Sequence, residues 1–148
     1  MMHRVVRFSL VLTAVGTLFL AGCGKKGPQL TPVEGVVTLD GQPLEGAMVL
    51  FEPQEGGRPA TGLTDAQGHF TLKTLEPGDG AQVGVNAVAV TKEKENPNAP
   101  PVEEGEIVPI EYATHPLYAS PKTSGITVNV QPGMGPVTIE LKSSGPQQ

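Results

Sequence analysis

The sequence predicts an all-β protein: a single antiparallel β-sandwich of about seven short strands, placed after an N-terminal export signal. Three observations carry this reading. Apolar residues recur at period two in one segment after another, the alternation of a half-buried strand. The chain holds 19 glycines and 15 prolines in 148 residues, against usual shares of about 7% and 5%, and such punctuation favours short strands and turns. No convincing helical periodicity follows the export signal.

The first seven residues carry Arg4 and Arg7 without an acid, a basic stretch that stays cytoplasmic while the next segment enters a translocon. Phe8 to Leu20 is an apolar run interrupted by small or hydroxylated residues such as Ser9, Thr13 and Gly16. As a helix it is too short to cross a bilayer core of about 30 Å. It ends in Leu20-Ala21-Gly22-Cys23, a lipobox that contains the only cysteine of the chain. This arrangement resembles the bacterial lipoprotein signal, in which the cysteine thiol is diacylglycerylated and the chain is cut before it. Two other readings are an uncut signal anchor and an ordinary buried or disulfide-forming cysteine. The second fails for want of a partner thiol. Lipid on Cys23 implies a protein anchored to a membrane and not spanning it. Gly24 stands where an inner-membrane retention signal has Asp, so the expected address is the periplasmic face of the outer membrane or the cell surface.

Removal of residues 1–22 leaves a length suited to one domain and takes the formal charge from −5 to −7, because Arg4 and Arg7 are lost and no acid is. An acidic exported chain with scattered lysines has no electrostatic footprint for nucleic acid. Residues 23–32 form a lipidated cysteine and flexible tether, with Lys25 and Lys26 solubilising it. A domain over 33–142 follows, and 143–148 form a disordered tail.

Val33, Gly35, Val37 and Leu39 define the first strand, with Glu34 and Thr38 on the other face. Asp40-Gly41-Gln42-Pro43 is a turn. In Leu44 to Glu52, Ala47, Val49 and Phe51 share one face and Met48 and Leu50 the other, the pattern of a central or covered strand. Leu63-Thr64 and Phe70-Thr71-Leu72 flank Asp65-Ala66-Gln67-Gly68, whose Asp opens a type I turn and whose Gly closes a hairpin. Val83, Val85, Val88 and Val90 make the next strand, with an irregularity between Val85 and Val88. Ile126, Val128 and Val130 alternate with Thr127 and Asn129. The chain turns at Pro132-Gly133-Met134-Gly135, and Val137, Ile139 and Leu141 form the last strand. The count and spacing are those of a β-sandwich.

The series Val33-x-Gly35-x-Val37, Gly41-x-Pro43-Leu44-x-Gly46-Ala47-x-Val49-x-Phe51-x-Pro53 and Thr64-Asp65-x-x-Gly68-x-Phe70 resembles the carboxypeptidase-regulatory-like, transthyretin-related (prealbumin-like, Ig-like) sandwich domain. It is similar to the small lipoproteins of this type that are numerous in planctomycetes. Val108-Pro109-Ile110-Glu111-Tyr112 and Ser124-Gly125-Ile126-Thr127-Val128 match their later section. The family's Gly-x-Tyr-x-Val strand start reads Gly84-Val85-Asn86-Ala87-Val88 here. The resemblance implies a fold and an address and no chemistry, since a fold does not fix a function.

The residues themselves offer little for catalysis. Ser120, Ser124, Ser143 and Ser144 lie in Pro- or Gly-flanked segments without a Gly-x-Ser-x-Gly elbow. The chain also lacks the Tyr-Arg-Gly-Ser ending of the transthyretin-related hydrolase of purine breakdown. His69 reads as a solvated strand residue, and no Cys/His spacing for zinc exists. Glu93, Glu95, Glu103, Glu104 and Glu106 crowd one connection without the register of a calcium loop, and read as a solvated acidic segment. The first strand has no lysine for a Lys-Asn isopeptide bond. No cofactor, metal or enzymatic activity is expected.

The long connection over 92–123 is the expected interaction surface, with Tyr112, His115 and Tyr118 as its candidate residues, because loops of this length in a compact domain are functional or disordered. Ile107 to Tyr118 is expected to pack on the domain. The function expected is a non-catalytic envelope module that binds a protein or glycan. The other readings are a structural component that self-associates and, third in order, an enzyme or metal-binding domain. The absence of Trp, with only Tyr112 and Tyr118 as tyrosines, lowers the case for a flat glycan platform.

Overall fold

The computed structural model describes residues 27–94 and 110–147. The expected signal segment with Leu20, Ala21, Gly22 and Cys23, and residues 95–109 of the long connection, lie outside the described residues. The described chain is all-β: β1 Leu30–Thr31, β2 Glu34–Leu39, β3 Gln42–Pro43, β4 Met48–Pro53, β5 Ala60–Leu63, β6 His69–Thr71, β7 Ala81–Gln82, β8 Gly84–Thr91, β9 Ile126–Val130 and β10 Val137–Leu141. One turn of 3-10 helix, Pro116–Ala119, is the only helical element among the described residues. Three of these strands, β1, β3 and β7, have two residues each. They escaped the sequence because so short a stretch has no period.

Three open sheets result. In one, β2 pairs with β10 on one side and with β6 and β3 on the other. The second has the order β5-β4-β8-β9, with every pairing antiparallel. The third joins β1 to β7, so Leu30 and Thr31, expected in the tether, are held by the domain.

The fully antiparallel arrangement expected is corrected at β2 and β10, which pair in parallel with Gly35 opposite Val137 and Leu39 opposite Leu141. β9 runs antiparallel to β8 in the other sheet and ends where β2 begins, so β10 starts from the same end as β2. Alternation in a sequence reports a strand's faces but not its direction.

The Asp65–Gly68 turn forms, with the Gly68 N–H donating to the Asp65 carbonyl at 2.9 Å and Gly68 at φ 76°. Its arms do not stay together as a simple hairpin. β5 pairs with β4 and β6 with β2, so the turn carries the chain from one four-stranded sheet to the other. The Thr61–Lys73 bridge, the Asp65 N–H to His69 carbonyl bond and the Asp65 side chain on the His69 N–H still join them.

A second correction concerns the phase of β8. Asn86 lies inward with Val88 and Val90, and Val85 is exposed. The irregularity expected between Val85 and Val88 is not there: β8 pairs without a break over these residues, and the bend lies before them at Gly84, which has φ 121°. The Asn86 Nδ2 donates to the carbonyls of Gln82 and Gly84, both at 2.9 Å, tying the side chain to the bend that precedes the strand.

One core takes residues from both four-stranded sheets: Val37, Phe70, Ile139 and Leu141 from the first, Val49, Phe51, Val88, Val90 and Val130 from the second. Phe51 and Phe70 meet across it with ring centroids 6.3 Å apart and planes tilted by 48°. Each fully buried Val, Leu or Phe contributes about 1.5–3 kcal/mol. β4 is central, as its two apolar faces predicted. Its Val49 and Phe51 are fully buried, but Met48 on the other face is 46% exposed.

Strand directions define two poles. At the first, the Val83 N–H donates to the Gln29 carbonyl, β1 lies on β7, and Gln82 Nε2 reaches the Gly56 carbonyl. The opposite pole holds the ends of β2, β8 and β10, with the Asp65–Gly68 turn and the Tyr112–His115 segment.

Candidate functional site

At that second pole the long connection is built on β8. Past Thr91 the chain pairs with its own return: the Ala113 N–H donates to the Lys92 carbonyl at 2.7 Å and the Lys94 N–H to the Glu111 carbonyl at 2.8 Å, with Glu93 and Tyr112 opposite each other. Lys94 Nζ and Glu111 Oε2 stand 3.4 Å apart on the surface, a pair worth less than about 1 kcal/mol in solvent. The Lys92 N–H also donates to Thr114 Oγ1 at 3.3 Å, and Thr114 is buried.

The 3-10 turn closes the segment. His115 caps it, Nδ1 accepting from the Leu117 N–H at 3.3 Å. Tyr118 inserts its ring into the core and its Oη accepts from the Lys142 N–H at 3.1 Å. The His115 ring meets Tyr118 edge-on, centroids 6.4 Å apart. On its other side lies Gly145, buried and at φ 92°, where a Cβ would stand 2.9 Å from His115 Nδ1. The tail residue Gly145 is therefore packed on the connection. Ser124 then hands the chain to β9. It is fully buried, its Oγ donating to the Val88 carbonyl and accepting from the Ile126 N–H.

The three candidate residues thus separate. His115 and Tyr118 come together as supports, one half-buried and one 3% exposed. Tyr112 alone is open, 42% exposed. Strand partners share a face, and Met48 pairs with both Leu63 and Thr91. Two residues beyond Thr91, Glu93 pairs with Tyr112, so the register places Tyr112 on the face that carries Met48 and Leu63. Ile110 is also exposed. Exposed apolar side chains at Met48, Leu63, Ile110 and Tyr112 therefore lie at one pole.

Asp65 acts within its own turn, Oδ1 accepting from the Gln67 and His69 N–H groups at 2.9 and 2.8 Å. His69 is exposed as expected, its Nδ1 3.7 Å from Asp65 Oδ2. Gly68 is required by space as well as by φ, since a Cβ there would lie 2.5 Å from the Val37 carbonyl.

A shallow depression of about 420 Å³ opens on the outer face of the second sheet, with Glu52, Ala87 and Thr127 as its floor and Pro121 and Lys122 as a wall. It could not be read in advance, because Glu52, Ala87 and Thr127 meet only through strand pairing. Among the described residues no group of three or more His, Cys, Asp or Glu side chains is arranged to hold a metal ion. No helix among them is long and apolar enough to cross a membrane. Comparison with family models, curated proteins and solved structures gives no match to the chain.

Proposed function

We propose that this chain is a lipid-anchored protein of the bacterial cell envelope whose β-sandwich, of the carboxypeptidase-regulatory-like type, is a non-catalytic interaction module. One observation carries the reading: the only cysteine follows Leu20-Ala21-Gly22 at the end of an apolar run too short to span a bilayer, behind a basic start. The sandwich is supported by two four-stranded sheets that share a core and meet through Phe51 and Phe70. The interaction role is supported by the exposed apolar set of Met48, Leu63, Ile110 and Tyr112. The Ser124 hydroxyl is spent on the backbone of the connection, between the Val88 carbonyl and the Ile126 N–H.

Mass spectrometry of the N-terminal peptide from native membranes tests the anchor. The expected peptide starts at Cys23 and carries diacylglyceryl mass, and Cys23→Ser moves the protein out of the membrane fraction as an uncleaved or released form. A native peptide that starts at Met1 with an unmodified thiol overturns the reading. The exposed Met48–Leu63 pair also favours a second function, self-association as a structural component. Light scattering separates the two: a monomer is expected of the module and a stoichiometric oligomer of the structural component.

A further inference from the structure

The pole at which the chain enters the domain is fixed by a small clasp. Leu30 and Thr31 pair with Gln82 and Ala81, and the Gln29 carbonyl takes the Val83 N–H at 2.9 Å. Thr31 is buried, and Gly80 lies so close to it that a Cβ would stand 1.7 Å from the Thr31 carbonyl oxygen. The clasp therefore depends on a glycine at position 80. The chain is therefore held by the domain from Gln29 onward, and not first at Val33.

That difference decides how the domain can stand. The six steps from Cys23 to Gln29 reach at most about 21 Å when fully extended. Along β8, the ten steps from Val83, at the clasp, to Glu93, opposite Tyr112, cover about 33 Å at strand spacing. To turn its Tyr112 pole onto the membrane, the domain would have to lift the clasp farther from the lipid than the tether reaches. The Thr74–Gly80 turn, with Leu75 60% exposed, stands at the clasp pole. Leu63, 62% exposed, stands at the other.

We propose that the β1–β7 clasp holds the pole carrying Leu75 against the bilayer of the protein's own anchor and keeps the surface of Met48, Leu63, Ile110 and Tyr112 turned away from it. This rests on the proposed lipidation of Cys23. The lipid surface is then the neighbour of one pole only, and whatever meets Tyr112 comes from the opposite side. Released from the clasp, the chain is next held at Val33, whose carbonyl accepts from the Leu72 N–H at 2.9 Å. Its reach then rises to about 35 Å, enough to permit inversion.

The test uses the full lipidated protein in phosphatidylcholine vesicles containing a lipid with a spin-labelled headgroup. Cys23 is consumed by its thioether, so a fluorophore goes to a single new thiol in Leu75→Cys or in Leu63→Cys. The expected result is strong quenching of the Leu75→Cys probe and at least a twofold weaker effect on the Leu63→Cys probe. Insertion of ten Gly/Ser residues after Gly24 is expected to raise quenching of the Leu63→Cys probe. Gly80→Ala is expected to do the same if it folds, and the insertion carries the test if it does not. Lipidated protein whose two probes are quenched alike before any insertion overturns the orientation alone. Protein without lipid on Cys23 that stays free of the vesicles overturns the anchor and the orientation with it.

Discussion

Tyr118 and Lys142 are joined through a side chain and a backbone: the phenol oxygen accepts the Lys142 N–H at 3.1 Å, just past the end of β10. This bond ties the returning connection to the last strand, with the tyrosine ring filling the core below it. Tyr118→Phe keeps the ring and leaves the Lys142 N–H without this acceptor, at an expected cost of about 1–2 kcal/mol. Tyr118→Ala also removes the ring and is expected to cost about 3–5 kcal/mol. Urea unfolding of the two variants checks the order, and equal losses would mean that the ring contributes nothing beyond the hydroxyl.

Thr64 serves the entry to β4 in the same manner. Its Oγ1 accepts the Ala47 N–H at 2.8 Å and donates to the Leu44 carbonyl, in a site 4% exposed. Thr64→Val preserves the shape and removes both bonds, leaving a buried donor and acceptor unpaired at about 1–3 kcal/mol. Thr64→Ser keeps the hydroxyl and is expected to retain most of that stability. Chemical denaturation of both separates the hydroxyl from the methyl, and a serine variant as unstable as the valine one would refute the hydrogen-bond account.

Acid acts on the clasp pole through Asp79. Its carboxylate accepts the N–H groups of Thr74 at 2.7 Å, Leu75 at 2.8 Å and Glu76 at 2.9 Å. Hydrogen bonding from Thr74 first, then Glu76 and Leu75, holds its pKa below the ordinary 3.8 against a smaller opposing effect of desolvation. A carboxylate depressed in the folded state contributes stability above its unfolded pKa of about 3.9, and loses it as pH falls through the lower folded value. The wild type is therefore expected to exceed Asp79→Asn in stability at neutral pH, with the gap closing below about pH 4. Melting temperatures from pH 7 to pH 2.5 show this directly, and a gap that stays constant across the range contradicts it.

The sequence was legible where a strand's chemistry is local. The inward sets Val33/Val37, Val49/Phe51 and Ile139/Leu141 are buried as their alternation requires. The turn glycine at 68 has the positive φ expected of it. What could not be read depends on partners distant in the chain. The parallel pairing of β10 follows from the end at which β9 leaves the other sheet. Asn86 was hidden because a polar residue inside a strand looks like an outward one until the carbonyls of Gln82 and Gly84 are seen to receive its amide. At the site, Tyr112, His115 and Tyr118 were found as a group by composition. Their division into one open residue and two supports needed the contacts to Gly145 and Lys142.

Gly35 gives the sharpest test of how β2 packs between its neighbours β6 and β10. It lies opposite Phe70 in β6 and Val137 in β10, where a Cβ would stand 2.2 Å from the Val137 carbonyl oxygen and 2.7 Å from Phe70 Cζ. A phenyl ring can rotate or be shortened, whereas the Val137 carbonyl is part of the parallel ladder. The backbone contact should therefore dominate. Gly35→Ala is expected to cost about 1–3 kcal/mol as an overpacking change. Phe70→Leu, which removes the nearer ring atoms, is expected not to rescue it. In a double-mutant cycle the interaction between the two changes should stay below about 0.5 kcal/mol, the range of independent sites. A favourable coupling above that value would place the clash on the ring, and would mean that β2 and β10 have room to separate.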